Sequence, residues 1–170
     1  MRDPQPHFHT LVWAIINQQL SVKAAQTIAA RLQAHVGAEL FEPQQFHRIR
    51  ETSLRKCGLS GAKSRYIREI ARRIRAGELG LEQLDTLDDE QASELLISLP
   101  GVGRWTADML LMFSLGRLDV LPVGDLALRK SIRVHYALPE DAAYEDYFSL
   151  AEQWRPYRTI ASWYYWAAVD

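Results

Sequence analysis

Leu99-Pro100-Gly101-Val102-Gly103-Arg104-Trp105-Thr106-Ala107 is the most informative segment of the chain. Apolar residues at helical spacing precede it (Ala92, Leu95, Leu96, Leu99) and follow it (Met109, Leu110, Met112, Phe113), so it joins two helices. Pro100 ends the first helix, because a residue before proline is pushed out of the α region. Gly101 and Gly103 are expected to supply positive φ angles and to leave their backbone N–H groups unshielded by a Cβ. With the second helix beginning at once, these N–H groups and the helix N-terminus converge on one spot that suits a phosphate oxygen. Such a hairpin grips a nucleic-acid backbone without reading sequence. The competing reading is an ordinary helix–loop–helix turn, where Pro-Gly pairs are common.

Outward from the hairpin, helical periodicity continues in both directions. Leu11, Ile15 and Ile16 form one stripe, and Ala24, Ala25, Ile28, Ala29 and Leu32 a second that stops before Gly37. Ile67, Ile70, Ala71 and Ile74 follow, and beyond the hairpin come Leu126, Leu128, Ile132 and Val134. Tyr147, Phe148, Leu150 and Ala151, then Ile160, Ala161, Trp163, Tyr164 and Ala167, complete the series. The extended-looking run Val120-Leu121-Pro122-Val123 contains a proline and reads as a loop. The fold class is therefore all-α.

Composition narrows the function classes. A chain of 170 residues buries roughly 70% of its unfolded surface and needs no covalent staple. The single Cys57 excludes an intrachain disulfide, a cysteine-rich zinc site and a four-cysteine iron–sulfur cluster. No apolar run approaches the roughly 18 residues of a membrane span, and the N-terminal MRDPQPHF has no signal-peptide core. His7, His9, His35, His47 and His135 show no metal-ligand spacing. A single module of a reducing compartment is expected.

The formal net charge of −1 argues at first against a polyanionic partner. Along the chain it separates. Ten basic residues against two acidic ones lie between Arg48 and Arg75, and seven acidic residues with no basic one lie between Glu78 and Glu94. The basic run is either a solvated helix face or a cationic face for phosphates. Aromatics are polarised too: nine of seventeen fall between Tyr144 and Trp166. Asp125 follows Leu121-Pro122-Val123-Gly124 and precedes Leu126-Ala127-Leu128, which places it as a helix N-cap.

LPGVGRWTA resembles the helix-hairpin-helix motif of the DNA glycosylase superfamily that carries a Gly/Pro-rich loop and a catalytic aspartate. Ile16-Asn17-Gln18-Gln19-Leu20-Ser21-Val22, Gly58-Leu59-Ser60 with Lys63, and Val120 to Lys130 are similar to further landmarks of that family, in order. The resemblance covers residues 8 to 168 and is strongest toward the 3-methyladenine DNA glycosylase II branch.

The resemblance implies a two-lobed helical module with a DNA cleft between the lobes. Residues 1–117 would form a helical barrel containing the hairpin at about 90–116, and residues 118–170 the second lobe. Asp125 would face the scissile glycosidic bond, stabilising the oxocarbenium ion and orienting water. Trp105 stands where bifunctional members carry a lysine nucleophile, so base release without strand cleavage is implied. Gln19, with Leu20 beside it, would fill the stack vacated by the extruded nucleotide. Trp105, Met109 and Trp166 would line the base pocket, while Trp154 and Trp163 are assigned to the core. An indole face attracts a cationic alkylated purine. The Met109 position is aromatic in some relatives, which leaves the lesion range open.

Gly101, Val102, Gly103, Arg104 and Thr106 would contact phosphate. The carbonyls of Leu99 and Gly101 could hold a structural sodium or potassium ion, with no other cofactor and no iron–sulfur cluster. The implied partner is double-stranded DNA containing damaged bases, met by a monomer that uses no membrane. Its implied location is the cytoplasm with the nucleoid, or the nucleus of a eukaryote. Relatives carry further N-terminal sequence, so the chain reads as a shortened or incomplete form. Two other functions compete: a non-catalytic helix-hairpin-helix DNA-binding module, and a glycosylase for deaminated or oxidised bases.

Overall fold

The computed structural model describes residues 6–168, and within them all regular structure is helical. The order is α1 (His7–Asn17), α2 (Val22–Val36), α3 (Pro43–Phe46), α4 (Glu51–Lys56), α5 (Gly61–Arg75), α6 (Asp89–Ile97), α7 (Arg104–Phe113), α8 (Leu126–Tyr136), α9 (Tyr144–Ala151) and α10 (Arg158–Ala167). Short 3-10 turns occupy Leu81–Asp85 and Glu152–Trp154.

Local chemistry explains most helix starts. Ser21 accepts a hydrogen bond from the Ala24 N–H, and Ser60 does the same for Lys63. Asp88 and Gln91 exchange bonds in a capping box at α6. Gly37 closes α2 in the left-handed conformation, at φ +71°. α7, like α1, α4 and α10, starts with no side-chain cap, here at Gly103.

α1 carries Phe8, Leu11, Val12, Ile15 and Ile16 into the core and packs against α2, α5 and α7. Together with α6 and the 3-10 turn at Leu81–Asp85, these helices build one large cluster that runs from Phe8 to Val120. A second cluster begins at Leu121 and contains Val123, Leu128, Ile132, Tyr147 and Ala151. Trp166 of α10 packs against both.

Two expectations need correction. Leu126 and Val134 are 74% and 73% exposed, so the inward stripe of α8 is confined to Leu128 and Ile132. Trp163, assigned to the core above, is 42% exposed and stacks on Phe113, itself 62% exposed. In α10 the buried positions are Thr159 and Ser162, so its apolar stripe does not mark its inner arc, and Tyr164, 75% exposed, lies outside it as well.

Candidate active site

The segment between α7 and α8 ends in Asp125, which caps α8 by accepting from the Leu128 N–H at 2.9 Å. Two indoles reach the same carboxylate from different helices. Trp166 Nε1 donates to Oδ1 at 3.0 Å, and Trp105 Nε1 donates to Oδ2 at 2.9 Å. Burial pushes the Asp125 carboxyl up, but bonds from Trp166, Leu128, Trp105 and Ala127 together outweigh it, leaving it below the ordinary carboxylate value. The group is therefore an anion at neutral pH, half withdrawn from water and fixed in orientation.

α10 owes its position to a clasp on the segment that leads to Asp125. Arg158 grips Asp119 through Nε to Oδ1 at 2.7 Å and Nη2 to Oδ2 at 3.0 Å. Thr159 donates its hydroxyl to the Arg117 carbonyl at 2.8 Å and accepts the Val120 N–H at 3.1 Å. A fork–fork pair and a buried hydroxyl thus bring Trp166 to Asp125. Neither Asp119, Arg158 nor Thr159 was singled out from the sequence. An Asp and an Arg separated by 39 positions carry no local signature.

Trp105 and Met109 lie one turn apart on α7, with Trp105 exposed and Met109 partly buried against the large cluster. Phe113, a further turn along, stacks on Trp166 with ring centroids 6.2 Å apart. The aromatic surface beside the carboxylate therefore includes Phe113 and Trp163 as well as Trp105 and Trp166.

The hairpin only partly follows the sequence expectation. Gly101 has φ +80°, and a Cβ there would sit 2.2 Å from the Tyr66 ring, so glycine is required twice over. Gly103 does not have positive φ; it lies at −95° in open space as the N-cap of α7. Val102 also departs from the expected phosphate set. Its N–H is taken by the Leu99 carbonyl at 3.1 Å, and its side chain is buried. The Arg104 guanidinium turns to Asp108, with Nε to Oδ1 at 3.1 Å, and approaches Glu90. Thr106 is buried and accepts the Gln18 amide at 3.2 Å. Gly103 stays exposed at a helix start that has no side-chain cap.

The turn after α1 docks on this hairpin. Gln18 Nε2 donates to the Gly101 carbonyl at 2.8 Å, while Gln19 and Leu20 are exposed. Of the basic run, Arg72 is engaged by Glu69 and Glu78, and Arg65 approaches Glu51 at 3.6 Å. The run is thus not one free cationic face.

Residues 12–156 match the family model described as HhH-GPD superfamily base excision DNA repair protein. A solved DNA-3-methyladenine glycosidase from Bacillus halodurans is 37% identical, with a TM-score of 0.88, over 100% of this chain and 79% of that one. A 3-methyladenine DNA glycosylase from Schizosaccharomyces pombe, solved with abasic DNA, is 31% identical with a TM-score of 0.81, over 97% and 85%. The Bacillus subtilis relative YfjP is 29% identical over 96% of this chain, which spans only 59% of that relative's length. The family match covers most of the chain, with the capped aspartate and the hairpin both inside it: the protein belongs to the HhH-GPD superfamily of base excision DNA repair proteins.

Proposed function

We infer that this chain is a DNA glycosylase that hydrolyses the N-glycosidic bond of alkylated purines, 3-methyladenine and 7-methylguanine, in double-stranded DNA after base flipping. The carrying observation is the Asp125 carboxylate, held ionised between two indole N–H groups and a helix N-terminus. As the C1′–N bond breaks, its electron pair leaves with the cationic base, which departs neutral. Positive charge develops on the sugar, and a fixed anion beneath it lowers the barrier. The same carboxylate orients the water that completes hydrolysis. Trp105 and Trp166 hold the carboxylate and offer electron-rich rings to a cationic base. Trp105 has no amine to form a Schiff base, so the product is an intact abasic strand.

The two solved relatives carry 3-methyladenine in their names, and one holds abasic DNA, the product of such a reaction. Both support the reading. It needs no organic or redox cofactor, since a carboxylate and water perform the hydrolysis. Leu99 and Gly101 each accept one N–H bond through their carbonyls, leaving one lone pair apiece for a structural alkali ion. Lobes at 1–117 and 118–170, with the hairpin at 90–116, belong to the same reading. The change of cluster between Val120 and Leu121 supports that division. The protein would work as a monomer, wherever the genome resides. No helix among the described residues is long and apolar enough to cross a membrane.

The test is release of bases from methylated duplex DNA by the wild type and by Asp125→Asn. The wild type should free 3-methyladenine or 7-methylguanine, and the variant should lose roughly 10²–10⁴-fold in rate. Asparagine also caps helices, so the variant should stay folded. Equal DNA binding with no release by either protein would instead identify a binding module.

A further inference from the structure

α1 ends at Asn17 without a basic residue in its last turn, and its terminal carbonyls form the negative end of a helix dipole. The cation that meets them comes from α5. Lys63 Nζ donates to the Ile16 carbonyl at 2.9 Å and to the Gln18 carbonyl at 2.7 Å. Beyond these acceptors Gln19 adopts φ +57°, a left-handed conformation that is unfavourable for a non-glycine residue. Such a turn persists only when its surroundings over-determine it. Lys63 holds it from the α5 side, and the Gln18 amide holds it from the hairpin side, on the Gly101 carbonyl and the Thr106 hydroxyl. The side chains left exposed by this double attachment are Gln19 and Leu20.

Lys63 differs from the rest of the basic run around it. Arg65 extends into water with 64% of its side chain exposed. Lys63 directs two of its three N–H donors at protein carbonyls, and burial lowers its pKa from the ordinary lysine value. Its charge meets the negative end of a helix. We propose that Lys63 is a positioning residue for base extrusion: its ammonium, bound to Ile16 and Gln18, holds the left-handed turn that presents Gln19 and Leu20 to the DNA stack. The proposal deepens the glycosylase reading and rests on it. Without the ammonium the two carbonyls lose their partner, the turn relaxes, and the wedge must be ordered each time a base is extruded. Chemistry at Asp125 is untouched, because no atom of Lys63 contacts it.

The experiment compares single-turnover base release from methylated duplex and methylated single-stranded DNA, since a single strand has no stack to be filled. Lys63→Met should slow release from duplex by about tenfold or more, as displaced positioning groups do. Release from the single strand should stay within about threefold of wild type, which also shows that the variant is folded. The slope of log affinity against log salt should not change, as Lys63 contacts no phosphate in this role. An equal loss on both substrates, no loss on either, or a slope reduced by about one overturns the proposal. If Lys63→Met does not fold, Lys63→Arg replaces it. A planar guanidinium keeps the charge but fits poorly where an ammonium bridges two carbonyls, so a smaller loss confined to duplex is expected, and an unchanged duplex-to-single-strand ratio refutes the assignment. A wild type that releases no base from either substrate defeats the glycosylase reading itself, and this proposal with it.

Discussion

Trp105 and Trp166 donate their indole N–H groups to opposite oxygens of one carboxylate, Asp125, from two different helices. The pair turns an ordinary helix cap into an oriented anion flanked by aromatic faces. Replacing either indole by phenylalanine keeps an aromatic ring and removes one charge-assisted donor. Because these bonds hold the Asp125 carboxyl below its ordinary value, their loss raises it. The acid limb of the rate profile for base release should move to higher pH in Trp166→Phe and Trp105→Phe. An unshifted limb in both would show that another group governs it.

Hairpin glycines should differ sharply in tolerance. Gly101→Ala forces a Cβ within 2.2 Å of the Tyr66 ring at φ +80°, an overpacking and strain effect of several kcal/mol. Gly103→Ala meets open space at an ordinary φ of −95° and should cost about 1 kcal/mol or less. Urea unfolding of the two variants measures the contrast, and equal destabilisation would refute it.

Asp108 gives a pH signature that involves no DNA. Its side chain is 1% exposed, and burial pushes the carboxyl up to about 6 against the opposing pull of Arg104. The folded state therefore binds more protons than the unfolded state between about pH 4 and 6, and the contribution of this group to stability falls as pH rises through that window. Two pH units correspond to up to about 3 kcal/mol. Asp108→Asn removes the titration, so the difference in unfolding free energy between variant and wild type should grow in the variant's favour from pH 4 to pH 7. A difference independent of pH contradicts the raised value.

Strand chemistry follows from Trp105. Borohydride should trap no covalent adduct between protein and methylated DNA, because no amine stands at that helix position. Gel detection of a trapped species would overturn the monofunctional reading.

What the sequence settled about this protein is local. Ser21, Ser60, Asp88 and Asp125 cap helices through N–H groups three positions ahead, and Gly37 and Gly101 take φ values that side chains resist. Apolar spacing sufficed to place the longer helices, because each stripe repeats within a few turns of itself; the short α3 and α4 carry no such stripe. The resemblance of motifs added Asp125, Trp105 and Trp166 as a set, though not the hydrogen bonds that join them. Local rules also misplaced particular groups: Gly103 does not use its freedom, Val102 turns its N–H inward, and Trp163 faces water. Tertiary structure alone decided that Lys63 would meet Gln18 across 45 positions, Gln18 meet Gly101 across 83, and Trp166 meet Asp125 across 41. Bonds of that span depend on how helices pack and rotate against one another. Packing is set by the whole core at once, so no short window of residues encodes it.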